Sequence, residues 1–239
     1  MSIYDLIADH YSEIFPPDNN RLEFLSSYLS GKARILDTGC ATGDIAAELA
    51  ASGHNVTGID LNEKMISIAW DKTKDRGLEI DFKLMDMLRI KELGEFNLIM
   101  CFGNTLPHLQ SESDVEIFFH SVFDSLSKNG YFIFQILNYD KILSEGKINF
   151  QAIENDSFVF RRSYSFPESG KIVFKTEFED KPTGSVYSAS TNLLPLKREF
   201  LLSMLDKAKF KSIEIFSGYG RSKSDMKEFA TLYTAQKTV

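Results

Sequence analysis

Cysteine is scarce in this chain: the 239 residues hold two, Cys40 and Cys101, too few for a disulfide framework. No apolar run reaches the roughly 18 residues of a membrane span, and no N-terminal signal pattern is present. A cytoplasmic setting is the expectation. Basic charge is also short, with 27 Lys and Arg against 34 Asp and Glu and a net charge of −7. Phosphate contacts need clustered cations, so a nucleic-acid backbone is not the expected main partner. Repeats and low-complexity linkers are absent, as is any metal-ligand signature, and no metal is expected. What is abundant is aromatic: 20 Phe and 9 Tyr, enough for a core and for an apolar ligand pocket. The length fits one domain, or one domain carrying an insertion.

The chain is organised around residues 33–44, where a short apolar run ends in Asp37, two glycines follow, and a helix is predicted from Asp44. Gly39 and Gly43 let the backbone turn tightly and approach a ligand, and the unpaired N–H groups of the helix start favour an electron-rich group. The dinucleotide fingerprint Gly-x-Gly-x-x-Gly fails here, because Ala41 and Asp44 stand at its second and third glycines. An NAD site is therefore not the expectation.

The rhythm around this corner is that of a doubly wound α/β fold. Helices are predicted over 1–15 and 19–30, then after Asp44, over 63–76, 113–127 and 196–207. Strands are predicted at 54–60, 78–84, 95–102, 131–137, 211–216 and 228–237. The rhythm breaks over 147–192, where Phe158–Phe166, a Pro167-Glu-Ser-Gly170 turn and 171–178 read as a hairpin, with a third strand over 187–193. Alternation puts Arg161 and Arg162 on opposite faces, so at most one of them faces a pocket, and solvent-facing cross-strand charges are the plainer reading.

The segment Asp37-Thr-Gly39-Cys40-Ala41-Thr-Gly43 resembles motif I of the class I S-adenosylmethionine-dependent methyltransferases, Asp/Glu-x-Gly-x-Gly-x-Gly, with Ala41 in place of the middle glycine. The resemblance implies a seven-stranded, mostly parallel sheet whose last strand is antiparallel, formed by 1–146 and 193–239, with an antiparallel β cap inserted after strand five over 147–192. It implies S-adenosyl-L-methionine as cofactor, its methionine half wrapped by this loop and its ammonium held by Asp37. Later residues fall in the family's order: Asp60 at the tip of strand two for the ribose hydroxyls, Asp86 for the adenine amino group, and Met87 at the ring's wall. Leu61 and Phe102 border the same ligand, and Tyr11, in an opening Tyr-Asp-x-x-Ala-x-x-Tyr pattern, lies near it.

Gly103-Asn-Thr-Leu-Pro-His-Leu109 and Asn138-Tyr-Asp140 resemble glycine N-methyltransferase and its small-molecule relatives, which implies that Asn104 faces the acceptor and makes Tyr139 a pocket residue. Asp/Asn-Pro-Pro-Tyr and Pro-Cys motifs are lacking. One departure matters: the arginine that clamps the substrate carboxylate in that family falls on Leu137, which cannot form bidentate charged bonds. Glycine itself is thus a doubtful acceptor. His108 is read first as a turn histidine satisfied by backbone groups, and otherwise as a base. Tyr219 and Arg221 lie in a loop within reach of the pocket. The resulting expectation is methyl transfer to a small molecule, nitrogen ahead of oxygen, with an RNA or protein methyltransferase and a non-catalytic cofactor-binding module as alternatives.

Overall fold

The computed structural model describes residues 2–146, 148, 150–168 and 170–238. In chain order the helices are α1 (Ile3–Ile7), α2 (Tyr11–Ile14), α3 (Asn19–Ser26), α4 (Asp44–Ala51), α5 (Glu63–Asp75), α6 (Glu112–Asp124), α7 (Tyr139–Glu145) and α8 (Arg198–Lys207). The strands are β1 (Arg34–Thr38), β2 (Asn55–Asp60), β3 (Asp81–Leu84), β4 (Phe96–Cys101), β5 (Leu126–Leu137), β6 (Ile153–Glu154), β7 (Phe158–Ser165), β8 (Ile172–Asp180), β9 (Ser185–Leu193), β10 (Lys211–Phe216) and β11 (Ala230–Gln236).

Seven strands form the main sheet in the order β10-β11-β5-β4-β1-β2-β3. All pairs among the first five strands are parallel, whereas β11 runs antiparallel to both β5 and β10. β1 and β4 lie side by side while their connections leave in opposite directions. Their carboxyl ends therefore open the crevice where doubly wound sheets bind ligands. β4 is apolar nearly throughout because both its faces are covered. On one side Phe118 and Phe119 of α6 meet Phe132 and Phe134 of β5, and the Phe134 ring stacks on Tyr233 at 4.7 Å. Each such ring, fully buried, is worth about 2–3 kcal/mol, so this layer fixes how α6 seats on the sheet.

Two expectations are corrected. Strand five starts at Leu126, not 131, because Leu126 pairs with Phe96 across a register shift. Gly130 sits in that irregularity, where a Cβ would lie 2.9 Å from the Ser127 carbonyl oxygen. Strand three is shorter than expected, beginning at Asp81.

The 147–192 segment contains a second sheet, antiparallel, in the order β6-β7-β8-β9. Its short first strand, β6, gave no readable alternation. The turn expected at 167–170 includes Ser169, which lies outside the described residues. Register pairs Phe160 with Phe178 and Tyr164 with Phe174 on one face of this sheet. Leu194 N–H donates to the Pro107 carbonyl at 2.8 Å, tying the end of β9 to the loop after β4. The N-terminal helices fill the remaining gap: Ile3, Ile7, Ala8 and Ile14 form one buried cluster with Phe158, Phe160, Phe178, Met65 and Ala41.

Candidate functional site

The loop after β1 is stapled to the neighbouring strand, with Gly39 and Cys40 N–H both donating to the Ile59 carbonyl at 2.8 and 3.0 Å. Gly39 has φ +76°, and a Cβ there would meet the Thr105 side chain at 2.6 Å. Gly43 has φ +74°, with Phe82 as close. Neither position accepts a side chain. Ala41 also takes a left-handed φ of 47°, which costs an L-residue about 1–2 kcal/mol. That conformation explains why motif I prefers glycine at this position. Here the methyl is buried among the N-terminal helices, α5 and the second sheet, which offsets the strain. The Cys40 side chain points into the core, where burial pushes its thiol up, so only its backbone borders the loop.

Asp60, at the end of β2, accepts from Ala41 N–H and Asn62 N–H, each at 2.9 Å. These bonds hold the carboxylate in place while burial raises its pKa. Asn62 caps α5 through Met65 N–H at 2.9 Å. Leu61 beside it is 72% exposed, an apolar side chain standing at the crevice mouth. Asp86 caps the turn that begins at Met87, accepting from Leu88 N–H at 2.9 Å, and Met87 packs against the core.

Asp37 is buried and makes no hydrogen bond through its carboxylate among the described residues. Burial raises its pKa to about 7, and the Arg21 guanidinium opposes the rise. Arg21 was not legible as a site residue: it is one more cation on α3. The fold sets its guanidinium carbon 5.3 Å from the Phe102 ring and 5.7 Å from the Tyr219 ring, with a buried Nε that has no partner. Tyr11 closes this corner, its hydroxyl 4.0 Å from where a Cβ on Gly103 would stand. Burial and the nearby Asp60 raise its pKa. Arg221 packs elsewhere, over Phe24 and Tyr28.

Across the crevice, Asn104 has φ 62° and joins three elements. Its Oδ1 accepts from Leu137 N–H at 3.1 Å, and its Nδ2 donates to the Tyr139 hydroxyl at 3.0 Å and reaches the Tyr164 hydroxyl at 3.5 Å. Tyr139 is fully buried, and Tyr164 comes from β7 of the second sheet. Tyr164 was missed in the sequence, although alternation puts it on one face with Phe158, Phe160 and Arg162. His108 bonds the Tyr4 hydroxyl at 2.9 Å through Nε2, so its partner is a side chain and not the backbone groups expected. Burial lowers its pKa to about 4, so the ring is neutral at pH 7.

A buried carboxylate near a half-buried guanidinium suits a zwitterion. Among the described residues no cluster of His, Cys, Asp and Glu has the makings of a metal site, and no helix is long and apolar enough to cross a membrane. A family model described as a methyltransferase domain matches residues 35–130. An S-adenosylmethionine-dependent methyltransferase from Clostridium acetobutylicum ATCC 824 shares the fold with a TM-score of 0.84, at 20% identity over 99% of each chain. Residues 35–130 thus match a methyltransferase domain, and the chain as a whole has the fold of an S-adenosylmethionine-dependent methyltransferase. A putative methyltransferase of Bacillus subtilis strain 168 is 34% identical over 142 residues, 59% of this chain. The chain spans about half the length of that relative, 55%. A glycine/sarcosine N-methyltransferase of Halorhodospira halochloris is 24% identical over 216 residues, 87% of this chain and 76% of its own.

Proposed function

We propose that this protein transfers the methyl group of S-adenosylmethionine to a small-molecule acceptor, with nitrogen as the methylated atom. The carrying observation is the pairing of two unlike sites across one crevice: the Asp37, Arg21 and Asp60 charges on one side, and the Asn104, Tyr139 and Tyr164 cluster on the other. The relation to a glycine/sarcosine N-methyltransferase supports the choice of nitrogen. Residues 1–146 and 193–239 hold the cofactor, and 147–192 cover the acceptor. Two free, buried cysteines suit a reducing, cytoplasmic setting.

Each residue has an assigned task. Asp37 pairs with the ligand's ammonium and Arg21 with its carboxylate, a charge-assisted pair whose fork geometry is its strength. Asp60 accepts from the ribose hydroxyls, with Leu61 beside it. Asp86 keeps one carboxylate oxygen free for the adenine amino group, and Met87 and Phe102 supply apolar walls. The backbone of 39–43 and Tyr11 enclose the methionine end. When bound, S-adenosylmethionine supplies a methyl made electrophilic by its sulfonium. The protein therefore needs chiefly to hold a lone pair in line with that methyl, and Asn104 and Tyr139 orient the acceptor for it. His108, neutral and bonded to Tyr4, fixes that tyrosine, and its low basicity makes it a poor base for an ammonium.

The test is calorimetric titration with S-adenosylmethionine and, separately, NAD, followed by a methyl-transfer assay over a panel of amines. Binding of the first alone with transfer to an amine is the expected result. Retention of the cofactor with no acceptor methylated would favour a binding module, and no binding of either would sink the reading.

A further inference from the structure

Adjacent arginines on β7 have opposite surroundings. Arg161 faces outward and bridges Glu177 at 2.8 Å and Glu179 at 3.0 Å, as a surface cross-strand cation does. Arg162 faces inward and has no carboxylate partner among the described residues. Its guanidinium carbon lies 5.6, 5.0 and 5.6 Å from the rings of Phe15, Phe150 and Phe160. The buried Nε has no hydrogen-bond partner, and Nη2 has only the Gln151 carbonyl at 3.4 Å. A guanidinium held by aromatic faces keeps its charge and presents its free N–H groups to whatever shares the space.

A chain of contacts links Arg162 to the Asn104 cluster. Phe150 touches both residues, its ring 5.1 Å from that of Tyr164 and 5.0 Å from the Arg162 guanidinium carbon. Tyr164 in turn reaches Asn104. Arg162 and Tyr164 are two positions apart on one strand face, so their backbones are separated by about 7 Å. An α-amino acid carries its nitrogen and carboxylate on one carbon and is too short to reach both. Leu137, apolar and partly buried beside Asn104, offers no charge nearer the reacting end.

We propose that the acceptor is an amine with an aromatic or similarly flat apolar body and a carboxylate at the opposite end of that body from its nitrogen, and that Arg162 is the residue that binds that carboxylate. This rests on the methyltransferase reading above. The apolar body lies among Phe150, Tyr164 and Phe174, the nitrogen rests at Asn104 and Tyr139, and the carboxylate completes the N–H groups that Arg162 leaves free.

The test uses the whole protein loaded with S-adenosylhomocysteine, titrated calorimetrically with para-(aminomethyl)benzoate and with the matching benzamide, which keeps the amine and lacks the carboxylate. The expected result is that the wild type binds the benzoate roughly ten-fold or more tightly than the amide, the scale of a charge-assisted bidentate pair. Arg162→Gln should abolish that preference, Arg162→Lys keep part of it, and Arg161→Gln keep all of it. Unchanged S-adenosylhomocysteine affinity in each variant reports an intact fold. A wild type that treats the two probes alike or ignores the benzoate overturns the proposal, as does an Arg162→Gln variant that keeps the preference. A protein that takes up no S-adenosylhomocysteine overturns the underlying reading as well, and the loading step reveals this separately.

Discussion

The two walls of the crevice are made of different materials. On the proposed cofactor side, the loop of 39–43 and the tips of β1 and β2 offer backbone turns and short carboxylates, packed so closely that a single Cβ at Gly39 would collide with Thr105. On the proposed acceptor side, Asn104, Tyr139, Tyr164 and Arg162 offer side chains instead, two of them carried on an antiparallel sheet that is separate from the main one. A backbone wall suits a ligand that never changes. A wall of side chains on strand faces can be rewritten one residue at a time without moving the main sheet, which suits a ligand that differs between relatives.

Substitutions on each side should therefore affect different measurements. The largest effect is expected for Asn104→Gly, because glycine keeps the left-handed backbone and removes only the amide. Turnover should fall on the order of a hundred-fold, the scale of losing one positioned donor, while S-adenosylmethionine affinity holds. If both fell together, the two walls would not be separable. Next is Asp60→Ala, which should weaken S-adenosylmethionine binding by about 1–3 kcal/mol, the cost of stranding polar groups. An unchanged affinity in calorimetry would remove Asp60 from the site.

A subtler test uses pH. Asp37 titrates near 7 in the folded protein against an ordinary 3.8, with burial as the main cause. A carboxyl raised in this way favours the protonated folded state, so its contribution to stability is greatest below its unfolded pKa and is lost as pH rises through 7. A bound ammonium reverses that preference and expels the proton. Affinity for S-adenosylmethionine should thus rise up to about ten-fold between pH 6 and pH 8, and Asp37→Asn should flatten the profile. A profile that is flat in the wild type would contradict the ammonium assignment. The smallest effect is expected for Arg161→Gln, whose exposed, solvent-screened pairs with Glu177 and Glu179 should leave the midpoint of a denaturant titration essentially unmoved. A larger loss there would mean that the outer face of the second sheet is not merely solvated.

The same division explains what could be read from the chain. Gly39, Gly43, Asp37 and Asp60 were legible because turn chemistry and strand tips are local: a few neighbouring residues decide them. The early start of β5 was hidden because Lys128-Asn-Gly130 has the composition of a loop and becomes part of the strand only by pairing past an irregularity at Phe96. Arg21 carried no local signal, Tyr4 was read only as part of the opening Tyr-Asp-x-x-Ala-x-x-Tyr pattern, and Tyr164 had only its strand face to mark it. Only packing brings them together. Arg162 was readable as one of two alternating faces, but which face turned inward depended on where Phe158 and Phe160 are buried.

The cluster that joins Ile3, Ile7 and Ala8 to Phe158, Phe160 and Phe178 also sets an order of events during synthesis. The residues of α1 leave the ribosome more than a hundred residues ahead of their partners, an interval on the order of ten seconds at ordinary elongation rates. Until then their apolar stripe has only Ala41 and Met65 to cover. The crevice is therefore closed from above only when the newest part of the chain captures the oldest, and a nascent chain that stalls before β7 would hold a finished motif I loop with no roof.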